Sequence, residues 1–239
     1  MVFVDYFGVP MSLSQIFGLT IPDDKVAVTW FNNYSGVVVR TKNFTVVFDP
    51  IDVKPSDLVK VDVLLVTHEH YDHFDAELTE EIQKQTNAVV VTTPYVANQL
   101  KGISSSNLKP LKVGESVTVG RVTLNAEYSS HPANQPLTFV LTLDNGLKIY
   151  HSSDSKPYPE MRSIGEKYKP DLAFCTVGIA PGTSPKSGVE VAKLIKPKVA
   201  IPYHTDKPKA LEDFSKILGE EAPEIKVKIL KRFEVFVYP

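Results

Sequence analysis

The chain has 239 residues, of which 43% are hydrophobic, 10% aromatic and 23% charged, a profile that excludes intrinsic disorder and collagen-like repeats. Twenty-six Lys and Arg against 28 Asp and Glu leave a formal net charge of −2, so no long-range positive field gathers nucleic acid and any polyanion contact must be local. One cysteine, Cys175, can form neither an internal disulfide nor a Cys-rich zinc finger; with no basic n-region before Asp5 and no apolar run near the roughly 20 residues of a membrane span, a cytoplasmic protein is expected.

Residues 1–24 are apolar and aromatic (Phe3, Tyr6, Phe7, Met11, Ile16, Phe17) and are expected as an N-terminal extension packed on the body; a strand, a lid or an association surface are the other readings. Short β-rich runs follow at 26–31, 36–40, 44–48, 61–66 and 88–92, most of them bounded by Asn, Gly, Pro or Asp. Helices are predicted over 74–86 and 94–101. Further β-runs come at 115–128, 137–143 and 147–151, the last two joined by the tight turn Asp144-Asn145-Gly146. Helix and strand then alternate: helix 157–168, the strand DLAFCTV, helix 187–196, the strand KVAIPY and helix 207–218. No Gly/Ser-rich or charged linker divides the chain, so one domain over 1–239 is expected. Meander strands followed by interleaved helices predict an α/β, four-layer αββα sandwich, two mixed sheets face to face with external helices. Lys207, Lys209, Lys226, Lys228, Lys231 and Arg232 alternate with carboxylates and read as a solvated face, and Cys175 reads as a core thiol.

The strand VDVLLV runs directly into Thr67-His68-Glu69-His70-Tyr71-Asp72-His73, placing four metal-ligand side chains within six residues. A helical zincin is excluded because H-E-x-x-H requires His at position 72, which is Asp. His68 and His70, two apart in extended chain, are expected to pinch one ion, and Asp72 and His73, entering the next helix, to hold a second. His131, His204 and Asp154 each fall just after a predicted strand. The arithmetic supports two ions: His68, His70 and His131 on one, Asp72, His73 and His204 on the other, with Asp154 bridging.

The run THEHYDH, with VVFDP before it and His131, YHSSDS, DLAFCTVG and KPKVAIPYH after it, resembles the metallo-β-lactamase fold superfamily of metal-dependent hydrolases over roughly residues 26–206, and is most similar to the branch with ascorbate-phosphate lactonase-like and N-acyl-phosphatidylethanolamine phospholipase-like proteins. That resemblance implies the αββα fold, two divalent ions and hydrolysis by a metal-held hydroxide. Zinc is the first expectation; manganese, iron, cobalt and nickel also suit these donors. Where relatives carry Gly-His-Ser after the Trp-containing strand, this chain has Asn33-Tyr34-Ser35, so Tyr34 takes the place of that histidine as a substrate or supporting contact. Asp154 stands where classical β-lactamases use cysteine, which disfavours antibiotic cleavage. Asp49 of the Asp-Pro pair is expected to support His70 or a neighbouring ligand. Asp72 is expected to orient the hydroxide and accept its proton, a purely structural ligand or helix cap being the other reading, and His151 either to donate a hydrogen bond to a ligand or to the oxyanion or to make an internal structural bond. The loop 178–185 is a candidate substrate contact through its backbone amides or Thr183, or else a plain chain connection.

The charge of the assembled centre favours a small anionic substrate, with phosphodiesters or other phosphate-bearing esters first and lactones second. An iron-dependent, persulfide-dioxygenase-like activity is the alternative from another class.

Overall fold

The computed structural model describes residues 12–239. A short helix α1 (Ser14–Gly18) lies inside the expected N-terminal extension. Its Ile16 is fully buried, and Arg40 Nη1 donates to the carbonyls of Ile16 and Leu19 at 2.8 and 2.7 Å, so this part of the extension packs on the body. Phe3, Tyr6, Phe7 and Met11 lie outside the described residues.

The first sheet begins as an antiparallel meander, β1 (Val26–Trp30), β2 (Val37–Arg40) and β3 (Thr45–Phe48). It continues in parallel through β4 (Val63–Leu65), β5 (Val89–Thr92) and β6 (Leu108–Pro110), with α2 (Ala76–Thr86) and α3 (Pro94–Ala97) as crossovers. The second sheet repeats the plan. The antiparallel strands β7 (Ser116–Val119), β8 (Val122–Tyr128), β9 (Leu137–Thr142) and β10 (Lys148–His151) lead, through α4 (Met161–Tyr168), to the parallel β11 (Leu172–Thr176). Helix α5 (Pro185–Ile195), β12 (Val199–Tyr203), α6 (Pro208–Glu221) and β13 (Lys226–Val227) complete it. The last strand, β14 (Val235–Tyr238), crosses back to the first sheet and pairs antiparallel with β1. Among the described residues each sheet therefore has seven strands, which is the αββα sandwich expected from the pattern.

Strand alternation explains the layers. Val26, Val28, Trp30, Val37, Val39, Val46, Phe48, Val63 and Leu65 face the second sheet, whereas Ala27, Val38, Val47 and Leu64 face the helical layer with Ile82 and Val96. Both faces are covered, which is why these strands read as unbroken apolar runs. In α2 the Asp75 side chain accepts from Leu78 N–H, so the helix starts three residues beyond His73, and α5 opens on a Ser184/Ser187 capping box with Pro185 in its first turn.

Several expected boundaries change. The run 115–128 is a hairpin broken at Gly120, whose φ of 58° turns the chain. The helix expected over 94–101 is a single turn, and that expected over 157–168 begins at Met161. The basic segment near the C-terminus is not simply a solvated face: it carries β13 and leads into β14, with Lys228 paired to Glu234 at 2.6 Å.

Candidate metal centre

All seven expected ligands converge at the carboxyl-terminal ends of β4, β8, β10 and β12, where an open α/β sheet commonly places its site. One group is His68, His70, His131 and Asp154; the other is Asp72, His73, Asp154 and His204. Within each group the donor atoms lie no more than 4.8 Å apart, and Asp154 belongs to both. The route to this arrangement differs from the extended chain expected. Residues 67–73 form a loop and turn in which the His70 carbonyl accepts from both His73 and Phe74 N–H at 2.9 Å, and Asp72 and His73 lie in that turn, ahead of α2. Glu69 Oε1 accepts from Asn134 N and Nδ2 at 2.8 and 2.7 Å, tying the turn to the loop that carries His131.

Hydrogen bonds decide which nitrogens are free. A carbonyl only accepts, so His204 Nδ1, 3.0 Å from Gly178 O, carries the proton and Nε2 the lone pair. His73 Nδ1 donates to Asp49 Oδ2 at 2.8 Å, which frees its Nε2 in the same way. Those two Nε2 atoms are 3.3 Å apart and each is 3.2 Å from Asp154 Oδ1, so with both rings neutral three lone pairs face one point. A tetrahedral ion with bonds of about 2.0 to 2.1 Å needs ligand atoms about 3.3 Å apart, so the spacing fits a cation. Asp72 Oδ2 stands 3.8 Å from both nitrogens.

In the other group His131 Nε2 is 3.0 Å from His70 Nδ1, and His68 Nε2, buried without a hydrogen-bond partner, is 3.8 Å from Asp154 Oδ2. Burial pushes the His68 imidazole well below its ordinary value, keeping it neutral and able to ligate. Burial alone would raise Asp154, yet His73 and His204 hold its carboxyl well below the usual range. It would likewise lower His73, yet Asp154 and Asp49 hold that imidazole well above, so a proton and a cation compete for its Nε2. The centre is built to hold positive charge.

Asp49, fully buried, accepts from Thr67 N at 2.8 Å, Thr67 Oγ1 at 2.9 Å and His73 Nδ1. It thus orients His73 rather than His70, because β3 ends beside the start of the ligand turn. Thr67, not singled out from the sequence, also lies with Oγ1 3.1 Å from His68 Nδ1; a hydroxyl directly before the ligand run was the available signal.

Of the two readings of His151, the geometry favours the internal structural bond over the catalytic one. The imidazole is wholly buried, stacked on Phe48 with ring centroids 4.1 Å apart; Nε2 faces Ser35 O at 3.3 Å and Nδ1 accepts from Ser153 N at 3.3 Å. Both nitrogens are used, so it makes no hydrogen bond to a ligand and has none to offer an oxyanion. Instead it ties the Asp154 turn to the 33–36 turn. Thr183 likewise spends its hydroxyl on Gly178 O and Ala180 O, at 3.0 and 2.7 Å, closing its own loop. Tyr34 does lie at the centre, with its ring 6.3 Å from His204. Its turn is held by Trp30 Nε1 donating to Tyr34 O at 2.7 Å and by Asn32 Oδ1 accepting from Tyr34 and Gly36 N–H.

Burial pushes the His151 imidazole down to about 3, against the opposing pull of the Ser35 carbonyl. The unfolded chain binds this proton below about pH 6.5 and the folded chain does not until about pH 3, so the stability contribution is complete above the first value and lost as pH falls toward the second. The difference in unfolding free energy between wild type and His151→Phe, measured in urea, is expected to shrink by about 2 kcal/mol from pH 6.5 to pH 5. An unchanged difference would assign the acid sensitivity to other groups.

A family model described as a beta-lactamase superfamily domain matches residues 29–205, and the chain belongs to that superfamily, with the metallo-β-lactamase fold. The chain is 32% identical over 187 residues to a "UPF0173 metal-dependent hydrolase" of Staphylothermus marinus, covering 75% of this chain and 79% of that protein. It is 29% identical over 196 residues to a protein of the same name from Rubrobacter xylanophilus, covering 74% and 80%. Among solved structures it is similar to Igni18, a novel metallo hydrolase from the hyperthermophilic archaeon Ignicoccus hospitalis, with a TM-score of 0.77 at 23% identity over 90% of this chain and 99% of that one. No helix among the described residues is long and apolar enough to cross a membrane.

Proposed function

We propose that this protein is a dinuclear metal-dependent hydrolase of small anionic esters, phosphodiesters first. The observation that carries the reading is the meeting of His73 Nε2, His204 Nε2 and Asp154 Oδ1 at the spacing of a tetrahedral ion, beside a second donor group that shares Asp154. The names of the two relatives support hydrolysis. When bound, two divalent cations, zinc first, lower the pKa of water from 15.7 toward about 7 and polarise the oxygen of the bond to be cleaved.

The chain's own groups divide the remaining work. Asp154 presents Oδ1 to His73 and His204 and Oδ2 toward His68 and His131, so one carboxylate fixes the separation of the two halves. Asp72 stands farther from its neighbours than Asp154 does, and its carboxylate is placed to take the proton of the attacking solvent molecule. Asp49 and the Gly178 carbonyl hold His73 and His204 with their lone pairs inward. The two carboxylates offset only half the charge of two divalent cations, and the positive remainder favours an anionic ester.

Purified protein is expected to bind two ions and to cleave bis-p-nitrophenyl phosphate, with loss of turnover on chelation and recovery on adding zinc or manganese. Turnover of lactones alone would replace the phosphodiester reading by a lactonase, and iron with oxygen uptake on a persulfide would replace both.

A further inference from the structure

Ile179 holds a backbone conformation that suits an isoleucine poorly. It is the middle residue of a three-residue turn closed by Ala180 N–H donating to Gly178 O at 2.7 Å, with a φ of 60°. This positive-φ turn is rare and strained, and a β-branched side chain is an outlier in it. The turn itself has a task, because the Gly178 carbonyl accepts from His204 Nδ1 and from Thr183 Oγ1, both at 3.0 Å, and so aims a ligand. Glycine or asparagine at 179 would perform that task with less strain. Burial does not compensate, since Ile179 is 43% exposed. What remains to account for the isoleucine is its outward apolar side chain.

Two aromatic side chains also stand beside the ligands. Tyr71 lies between the ligands His70 and Asp72 and is 79% exposed, and Tyr34 is half-buried beside His204, within electrostatic reach of Tyr71 and Asp72. Each is attached to backbone that carries, aims or borders a ligand: Tyr71 stands between His70 and Asp72, Ile179 follows the carbonyl that meets His204 Nδ1, and the Tyr34 ring is 6.3 Å from that of His204. Strain kept at a site in this way is characteristic of ligand contacts.

We propose that Ile179, Tyr71 and Tyr34 form an apolar rim that grips the organic substituent of the substrate while its anionic group sits at the metals. This rests on reading the centre as a hydrolase of anionic esters and narrows that class to esters carrying an aliphatic or aromatic group.

Calorimetric titration of the metal-loaded full chain with methyl-, butyl- and phenylphosphonate tests the rim without requiring turnover. In wild type the affinity is expected to rise about tenfold or more from methyl- to butyl- or phenylphosphonate, in proportion to apolar surface covered. Ile179→Asn is expected to keep two ions, an undiminished melting temperature and wild-type methylphosphonate affinity, while cutting that gain to about threefold or less. Tyr71→Ser, at an exposed side chain, is expected to cut it too. An equal gain in all three proteins, or none in wild type, would overturn the rim and leave the anionic reading standing. Failure of methylphosphonate to bind protein holding two ions would overturn the anionic reading and the rim with it.

Discussion

Asp154→Ala is expected to empty both metal positions: elemental analysis of the purified variant should fall from two ions per chain to none. Phosphodiester turnover should fall by on the order of a thousandfold, as loss of several kcal/mol of electrophilic assistance requires. The reason is geometric. Oδ1 is 3.2 Å from both His73 and His204, Oδ2 is 3.8 Å from His68 and 3.7 Å from His131, and among the described residues no other side chain belongs to both groups. His70→Ala is the contrast, because His70 belongs to one group only and one ion should remain. Retention of one full equivalent by Asp154→Ala would show that the carboxylate is a terminal ligand, and the shared centre would have to be abandoned.

Asp49→Ala is expected to lower the unfolding free energy by about 3 to 5 kcal/mol, since each buried donor left without an acceptor costs about 1 to 3 kcal/mol. Three are orphaned at once: Thr67 N–H, the Thr67 hydroxyl and His73 Nδ1–H. Against a typical total of about 5 to 15 kcal/mol this is a large share. Asp49 also has a φ of 42°, which Asn tolerates better than Ala. Asp49→Asn therefore separates the effects: it relieves the backbone but turns an amide N–H₂ either toward Thr67 N–H or toward the Thr67 hydroxyl and His73 Nδ1–H together. Both variants should weaken the Asp72, His73 and His204 position by about 10- to 100-fold in metal affinity and spare the other. Competition titrations with a chromogenic chelator resolve the two sites, and equal weakening of both would refute the assignment of Asp49 to His73.

The metal centre was legible in the sequence because its chemistry is concentrated: four ligands stand within one turn, and the other three each follow a strand ending at the same edge of the sandwich. The layers were legible because unbroken apolar runs must be covered on two faces. Residues whose roles depend on distant partners were less so. His151 and Asp154 are three apart, but Ser153 adopts a φ of 48° and turns the chain between them, sending the histidine into the core and the carboxylate into the centre. Asp49 was placed near the ligands, yet which histidine it meets depends on the pairing of β3 with β4. The strained turn at Ile179 is invisible to any propensity, because the residue is the wrong one for it. Strand β14 was missed because its partner, β1, lies at the other end of the chain.

That last pairing governs the order in which the molecule can be completed. Val26 finds its neighbour Tyr238 roughly 210 residues later, so during synthesis the meander of the amino-terminal half emerges with one margin unprotected and keeps it so until almost all of the described chain has left the ribosome. For that interval a valine-rich ribbon offers its bare amides and carbonyls to any neighbouring nascent polypeptide, and the closing step of folding is also the one that withdraws the offer.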